Sequence, residues 1–296
     1  MTQIREIHAT RSIPFLAFHL VAIVGVCLVP FAWKWVGLCV GMYYLRMFAI
    51  TGGYHRYFSH RTYKTSRAFQ FFMACLAQSS AQKGALWWAA NHRHHHKFSD
   101  HENDIHSPLH TGFFWSHVGW ILSTENDRTH WELIQDFKKY PELVWLDRHQ
   151  HVPAVALAIG LFLAGGAPAL FWGFFLSTAL LWHGTFTINS LSHVYGSRRY
   201  TTTDTSRNNF WLALLTMGEG WHNNHHTYQS STNQGFFWWE IDPTYYVLKG
   251  LEKVGIVWDL RKPPLELLEA KRISKDVRDA MPRNVSEAVR KKSAVH

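Results

Sequence analysis

Two charge-free runs dominate the pattern of apolar and polar positions along the chain. No Asp, Glu, Lys or Arg occurs from Ile13 to Trp33, nor from Val152 to Ser197. Crossing about 30 Å of hydrocarbon takes roughly 20 apolar residues. The first run is long enough for one crossing, and the second for two if it breaks at Gly165-Gly166-Ala167-Pro168. Trp35 to Gly53 is a further apolar stretch, interrupted only by Arg46. The pattern predicts an all-α integral membrane protein with four transmembrane helices in two hairpins, at about 13–33, 35–53, 152–166 and 169–190. Ile13 to Trp33 exceeds the length of a signal-peptide core and has no small-residue cleavage pattern after it, so it reads as a retained span.

The remaining segments, 54–151 and 194–270, mix charged and aromatic residues and predict a helical cap outside the bilayer. Arg67 to Gln82 is apolar but too short to cross, which suits an interfacial or re-entrant helix. Glu125 to Tyr140 has the mixed pattern of a soluble helical region, expected to end at Pro141. The basic tail, 271–296, has few large apolar residues and reads as a surface helix or as disordered. The whole, 1–296, is expected to form one membrane domain.

Charge sets the expected orientation. Arg5 and Arg11 precede the first span; Arg56, Arg61, Lys64 and Arg67 follow the second; Arg198, Arg199 and Arg207 follow the fourth. The two hairpin tips carry only Lys34 between them. The positive-inside rule then places both termini and the cap in the cytoplasm, in a multi-pass protein. Mean hydropathy is only -0.16, because so much of the chain lies outside the spans. The excess of 30 basic over 21 acidic residues suits anionic lipid headgroups, an anionic substrate or an acidic redox partner, rather than nucleic acid. Cys27, Cys39 and Cys75 are scattered and give neither a disulfide framework nor a CxxC site.

Nine histidines add chemistry to this outline. They stand in four clusters at or beyond the ends of the apolar stretches: His55 and His60; His92, His95 and His96; His193; and His222, His225 and His226. Neutral imidazole ligates Fe, Cu, Zn and Ni. Residues i and i+4 share a helix face, so His92 with His96, and His222 with His226, can each converge on one metal. Their neighbours His95 and His225 are turned away by about 100° on a helix of about 3.6 residues per turn. Adjacent histidines therefore divide between two ions, and a dinuclear centre is expected. A mononuclear zinc site would need only about four ligands.

The sequences HRYFSH (His55 to His60), HRHHHKFS (His92 to Ser99) and GEGWHNNHH (Gly218 to His226), with NSLSHVYG (Asn189 to Gly196) and FFWSHVGW (Phe113 to Trp120), carry a resemblance. They resemble the histidine boxes of membrane fatty acid desaturases, most closely the stearoyl-CoA (delta-9 acyl-CoA) type, over roughly residues 13 to 240. The resemblance implies two iron ions and O2 as co-substrate. It implies one iron held at the positions of His55, His60, His92, His96 and His226. The other is implied at His95, His193, His222 and His225, with a water supported by Asn189. His94 falls at a position that is not histidine in the family pattern and is left out of the ligand set. Gln82, Trp88 and Thr185 match positions around the bend of the family's acyl channel. Asp104, His106 and Glu219 sit in or beside the boxes and are placed to orient ligand imidazoles. Bulky Trp87 and Trp115, and His19 and His183 inside the spans, are expected to pack or hydrogen-bond.

The implied reaction removes two vicinal hydrogens from a saturated fatty acyl chain, expected as acyl-CoA, to leave a cis double bond at delta-9. No CxxCH, GxGxxG or cysteine cluster is present, so electrons are expected from a separate donor of ferredoxin, rubredoxin or cytochrome b5 type. A related di-iron fatty acid or alkane hydroxylase is the alternative. A metal transporter fits poorly, since an ion path needs ligands through the bilayer depth.

Overall fold

The computed structural model describes residues 6–282 and Asn284; Arg5 and most of the far tail lie outside the described residues. The helices that position the site are α1 (Ala9–Leu28), α2 (Trp33–Ser59), α3 (Arg67–Gln78), α4 (Ala85–Phe98), α5 (Pro141–Arg148), α6 (Val152–Val194) and α7 (His222–Thr227). Three helices among the described residues, not the four expected, are long and apolar enough to cross a membrane: α1 with 20 residues, α2 with 27 and α6 with 43. The predicted third and fourth spans are one apolar segment, α6. Its break falls where expected, at Gly165 (φ -152°, ψ 16°) and Gly166 (φ 67°, ψ -157°). The second of these conformations is readily reached only without a Cβ. Two residues leave helical geometry and winding then resumes, so the segment is two helical arms joined at the Gly165-Gly166 break.

The chain folds as two compact units. The first holds residues 6–59, 67–93 and 118–185; the second holds 60–66, 94–117, 186–282 and 284. In the first unit, α1 and α2 pack against the Phe171–Leu176 stretch of α6. Small residues allow the approach: a Cβ on Gly173 would stand 2.9 Å from Leu38, and one on Gly184 2.5 Å from Tyr43 Oη. Arg46, the one charge in the second apolar stretch, is fully buried. Its guanidinium donates to Ser177 Oγ, Thr178 Oγ1 and the carbonyls of Met42 and Ser79, replacing water.

Helix α2 continues past Phe48 as a π-helical run, Ala49–Ser59, that contains His55. The five-residue spacing of His55 and His60 matches this i→i+5 winding better than an α-helix. Helix α3 begins at Arg67 as expected and stops at Gln78. Pro141 does not end a helix; it stands at the start of α5, where a missing N–H costs nothing. The preceding segment forms only a 3-10 turn (Trp131–Leu133) and the short helix Gln135–Lys138.

The second unit contains a ribbon absent from the all-α expectation: β1 (Lys64–Thr65) pairs antiparallel with β2 (Val257–Trp258), with Lys64 opposite Trp258. The described part of the tail forms the short helix Lys275–Ala280. An isolated bridge pairs Tyr200 with Arg272.

Candidate metal centre

Helix α7 is six residues long and all of them are buried. Its own asparagines hold it. Asn223 Oδ1 accepts from the N–H groups of Arg199 and Tyr200 (2.8 and 2.9 Å), and Asn224 Nδ2 donates to Gln234 O and Glu240 Oε2 (2.9 and 2.8 Å). Asn208 Oδ1 in turn accepts from the N–H groups of Asn223 and Asn224. So short a helix has little stability of its own, and these side chains fix where His222, His225 and His226 point.

In this unit one nitrogen from each of His95, His193, His222 and His226 lies within 4.8 Å of the others. His193 Nε2 and His222 Nε2 face each other at 3.0 Å. Two imidazoles at right angles on one metal, each about 2.1 Å away, would stand about that far apart. Beside them, His225 Nε2 faces His96 Nε2 at 3.0 Å, and the His60 ring lies 4.6 Å from both the His96 and His225 rings. In this grouping His225 stands with His60 and His96, and His226 with His95, His193 and His222, the reverse of their places in the division implied by the resemblance. The reason is local. His222 and His226 are one helical turn apart on α7 and share a face, whereas His225 points about 100° away.

Three carboxylates set the ring orientations. His95 Nδ1 donates to Asp104 (3.0 Å to each oxygen), His193 Nδ1 to Asp100 Oδ2 (3.1 Å) and His226 Nδ1 to Asp204 Oδ2 (2.5 Å). Each bond fixes a tautomer and leaves Nε2 with its lone pair. Asp100 also accepts from Ser107 Oγ, Thr205 N and Thr205 Oγ1. Burial opposes ionisation of all three carboxyls, but the facing imidazoles and hydroxyl or main-chain donors outweigh it and hold each well below the usual carboxylate range. Burial pushes the His222 and His226 imidazoles down, toward the neutral form a metal requires. His226 Nε2 and His222 Nδ1 are buried with no hydrogen-bond partner. Buried imidazoles with carboxylate-fixed tautomers and an orphaned ring nitrogen fit a transition-metal ion.

The first unit holds the other two box histidines. The rings of His55 and His92 lie 4.5 Å apart, and Trp88 stacks on His92 at 4.9 Å. Arg93, next to His92, clamps α4 to the end of α2. It donates to the carbonyls of Phe58, Ser59 and Leu133 and pairs through two bonds with Asp136. Asp147 Oδ1 accepts from Trp87 N at the start of α4, and a Cβ on Gly84 would collide with it at 2.0 Å. Gln82 Nε2 donates to Thr185 Oγ1 at 3.1 Å, bringing together two of the three proposed channel residues.

Asn189 lies one turn before His193, its carbonyl accepting from Ser116 Oγ at 2.8 Å. His106 packs on the His95 ring at 4.4 Å, and burial pushes it down to about 3. Glu219 is buried three residues before His222. His94 Nε2 bonds Asn103 O at 3.1 Å and belongs to none of the histidine groups. Trp87 and Trp115 are buried and donate to Asn126 O and Ile105 O. His19 and His183 bond each other through Nε2 at 3.1 Å. The sequence reading missed Asp100, Asp204 and Arg93. Asp100 follows the second box directly, a signal that could have been used, but nothing in the spacing pointed to Asp204.

Fold and site together define a helical protein with membrane-length apolar helices and buried imidazole groups able to hold metal ions. A family model for fatty acid desaturase matches residues 30–259, and the chain belongs to that family. It is 37% identical over 255 residues to the sn-1 stearoyl-lipid 9-desaturase of Synechocystis sp., covering 84% of this chain and 79% of the relative. To the hex-5-enoyl-[acyl-carrier protein] acetylenase of Moorena producens it is 35% identical over 288 residues, covering 88% and 89%. The acyl-CoA 5-desaturase of Anemone leveillei is 35% identical over 259 residues, covering 83% and 79%. These relationships support an oxidoreductase of fatty acid desaturation.

Proposed function

We propose that this protein introduces a cis double bond, at delta-9, into a saturated fatty acyl chain, using two iron ions, O2 and two electrons from a separate donor of ferredoxin, rubredoxin or cytochrome b5 type. The buried group of His95, His193, His222 and His226, with three of its rings oriented by carboxylates, carries the reading. These four would hold one ion, and His60, His96 and His225 of the same unit would hold the other, to which the resemblance adds His55 and His92. When bound, the irons supply an oxidant strong enough for an unactivated methylene, which no side chain can provide.

The chain's own residues have a positioning task. Asp100, Asp104 and Asp204 hold the ligand rings; Gln82, Trp88 and Thr185 shape the acyl channel near its bend; Asn189 would support a water at the ion of the His95, His193, His222 and His226 group. His106 and Glu219 lie behind the ligands as further orienting groups. Acyl-CoA is the expected substrate form, and the lipid-linked and carrier-protein-linked substrates in the relatives' names set the alternatives. The active site and both termini face the cytoplasm of a multi-pass protein, and 1–296 is read as a single desaturase domain.

The test is gas chromatography with mass spectrometry of fatty acids from a desaturase-deficient host, with His226→Ala as control. A new delta-9 monounsaturated acid that depends on His226 is expected, and its distribution between thioester and lipid pools names the carrier. Hydroxylated chains instead would identify a hydroxylase and overturn the proposal.

A further inference from the structure

A cavity of about 280 Å³ in the second unit lies outside the histidine groups. This is near the lower end of ligand pockets, about 300–1,000 Å³. Three arginines line it, Arg198, Arg207 and Arg278, with one acidic residue, Asp279. That carboxylate is only loosely engaged, 3.7 Å from Arg278 Nε.

The two inner arginines are incompletely satisfied. Arg207 is 5% exposed; its Nη1 donates to the carbonyls of Gly196 and Pro282 (2.9 and 2.8 Å), and its buried Nε has no acceptor. Arg198 Nη2 donates to Thr202 Oγ1 and Thr202 O (2.7 and 3.2 Å), and its buried Nε likewise has no acceptor. Burial and the neighbouring Arg198 charge push the Arg207 guanidinium down to about 10. Buried donors without acceptors beside a solvent-sized space are costly, and an anion entering that space removes the cost. Guanidinium forks match the oxygens of phosphate, which can accept from several arginines at once.

We propose that Arg198, Arg207 and Arg278 form a binding site for a phosphate group, borne by a phospholipid headgroup or by a soluble acyl carrier. The site adjoins the metal centre through side chains. Thr202 Oγ1, which accepts from Arg198, donates to Asp204 Oδ1 at 2.9 Å, and Asp204 is the carboxylate that orients His226. Phosphate binding requires no turnover, so it stands or falls apart from the desaturase reading.

The experiment is isothermal titration of the full chain in detergent with inorganic phosphate, against chloride at matched ionic strength. Saturable binding is expected. Arg278→Gln removes a donor and weakens it about tenfold. Asp279→Asn removes a repulsive charge and tightens it about threefold. Arg278 is half-buried and Asp279 exposed, and melting midpoints confirm that both variants fold. Coenzyme A and dihexanoyl phosphatidylglycerol then compete for the site. The one that raises the apparent Kd for phosphate identifies the source, and competition by neither would overturn the assignment to a phospholipid or an acyl carrier. Absence of saturable binding, or a Kd unchanged in both variants, would overturn the proposal.

Discussion

Asp100, Asp104 and Asp204 each fix one ring nitrogen of His193, His95 and His226, so the carboxylates decide which nitrogen faces a metal. Loss of such a partner typically weakens metal binding about 10- to 100-fold. Asp204→Asn should therefore lower metal retention by about that factor in a chelator titration followed by mass spectrometry of bound iron, with the protein still folded. Unchanged retention would remove Asp204 from the site. The exchange of His225 and His226 is testable by stoichiometry. His222→Ala with His226→Ala strikes one ion and should leave about one iron bound, whereas His225→Ala with His226→Ala strikes both and should leave almost none. Equal loss in the two double variants would restore the division implied by the family. At this scale the ligand types were legible in the sequence, since imidazole chemistry does not depend on the fold. Their orienting partners were not, because Asp204 meets His226 from 22 positions away in the chain.

Short elements here depend on close backbone approach. Gly220, ahead of α7, has no room for a side chain: a Cβ would lie 2.1 Å from Ala213 N and 2.5 Å from Asn209 O. Backbone atoms cannot yield as a flexible side-chain end can, so Gly220→Ala should cost about 3 kcal/mol or more and displace the third box. Gly250, with nothing within 4 Å of its Cβ position, is the control. Gly250→Ala should be neutral or stabilising by about 0.4–1 kcal/mol. Thermal unfolding of both variants checks the pair; similar melting temperatures would refute the steric argument. Charge-free runs made α1 and α6 readable as elements, and an apolar stretch interrupted only by Arg46 did so for α2. The π-helical extension of α2 was not readable, because apolar periodicity does not distinguish winding that carries a buried His55 from an ordinary helix end.

For the whole molecule, basic residues at the ends of the apolar helices predict that both termini share the cytoplasmic side. Green fluorescent protein fused after Lys253 should fluoresce, and alkaline phosphatase fused there should stay inactive. The reverse result would invert the orientation. Family membership, established over residues 30–259, spans parts of both compact units.

What the sequence determined by itself was the class of chemistry: charge-free stretches long enough for a bilayer, and histidines in number and spacing beyond any single-ion site. These follow from local composition, which no later folding step alters. Even the grouping of His222 with His226 was implied by their four-residue spacing, and one nitrogen of each stands in the same four-histidine group. Only the tertiary structure decided the rest. It brought Asp100, Asp104 and Asp204 onto the ligand rings, tied α4 to α2 through Arg93, and gathered three arginines around a cavity. Each is a contact between residues whose separation in the chain carries no period, so only packing and hydrogen-bond satisfaction in the folded chain could select it.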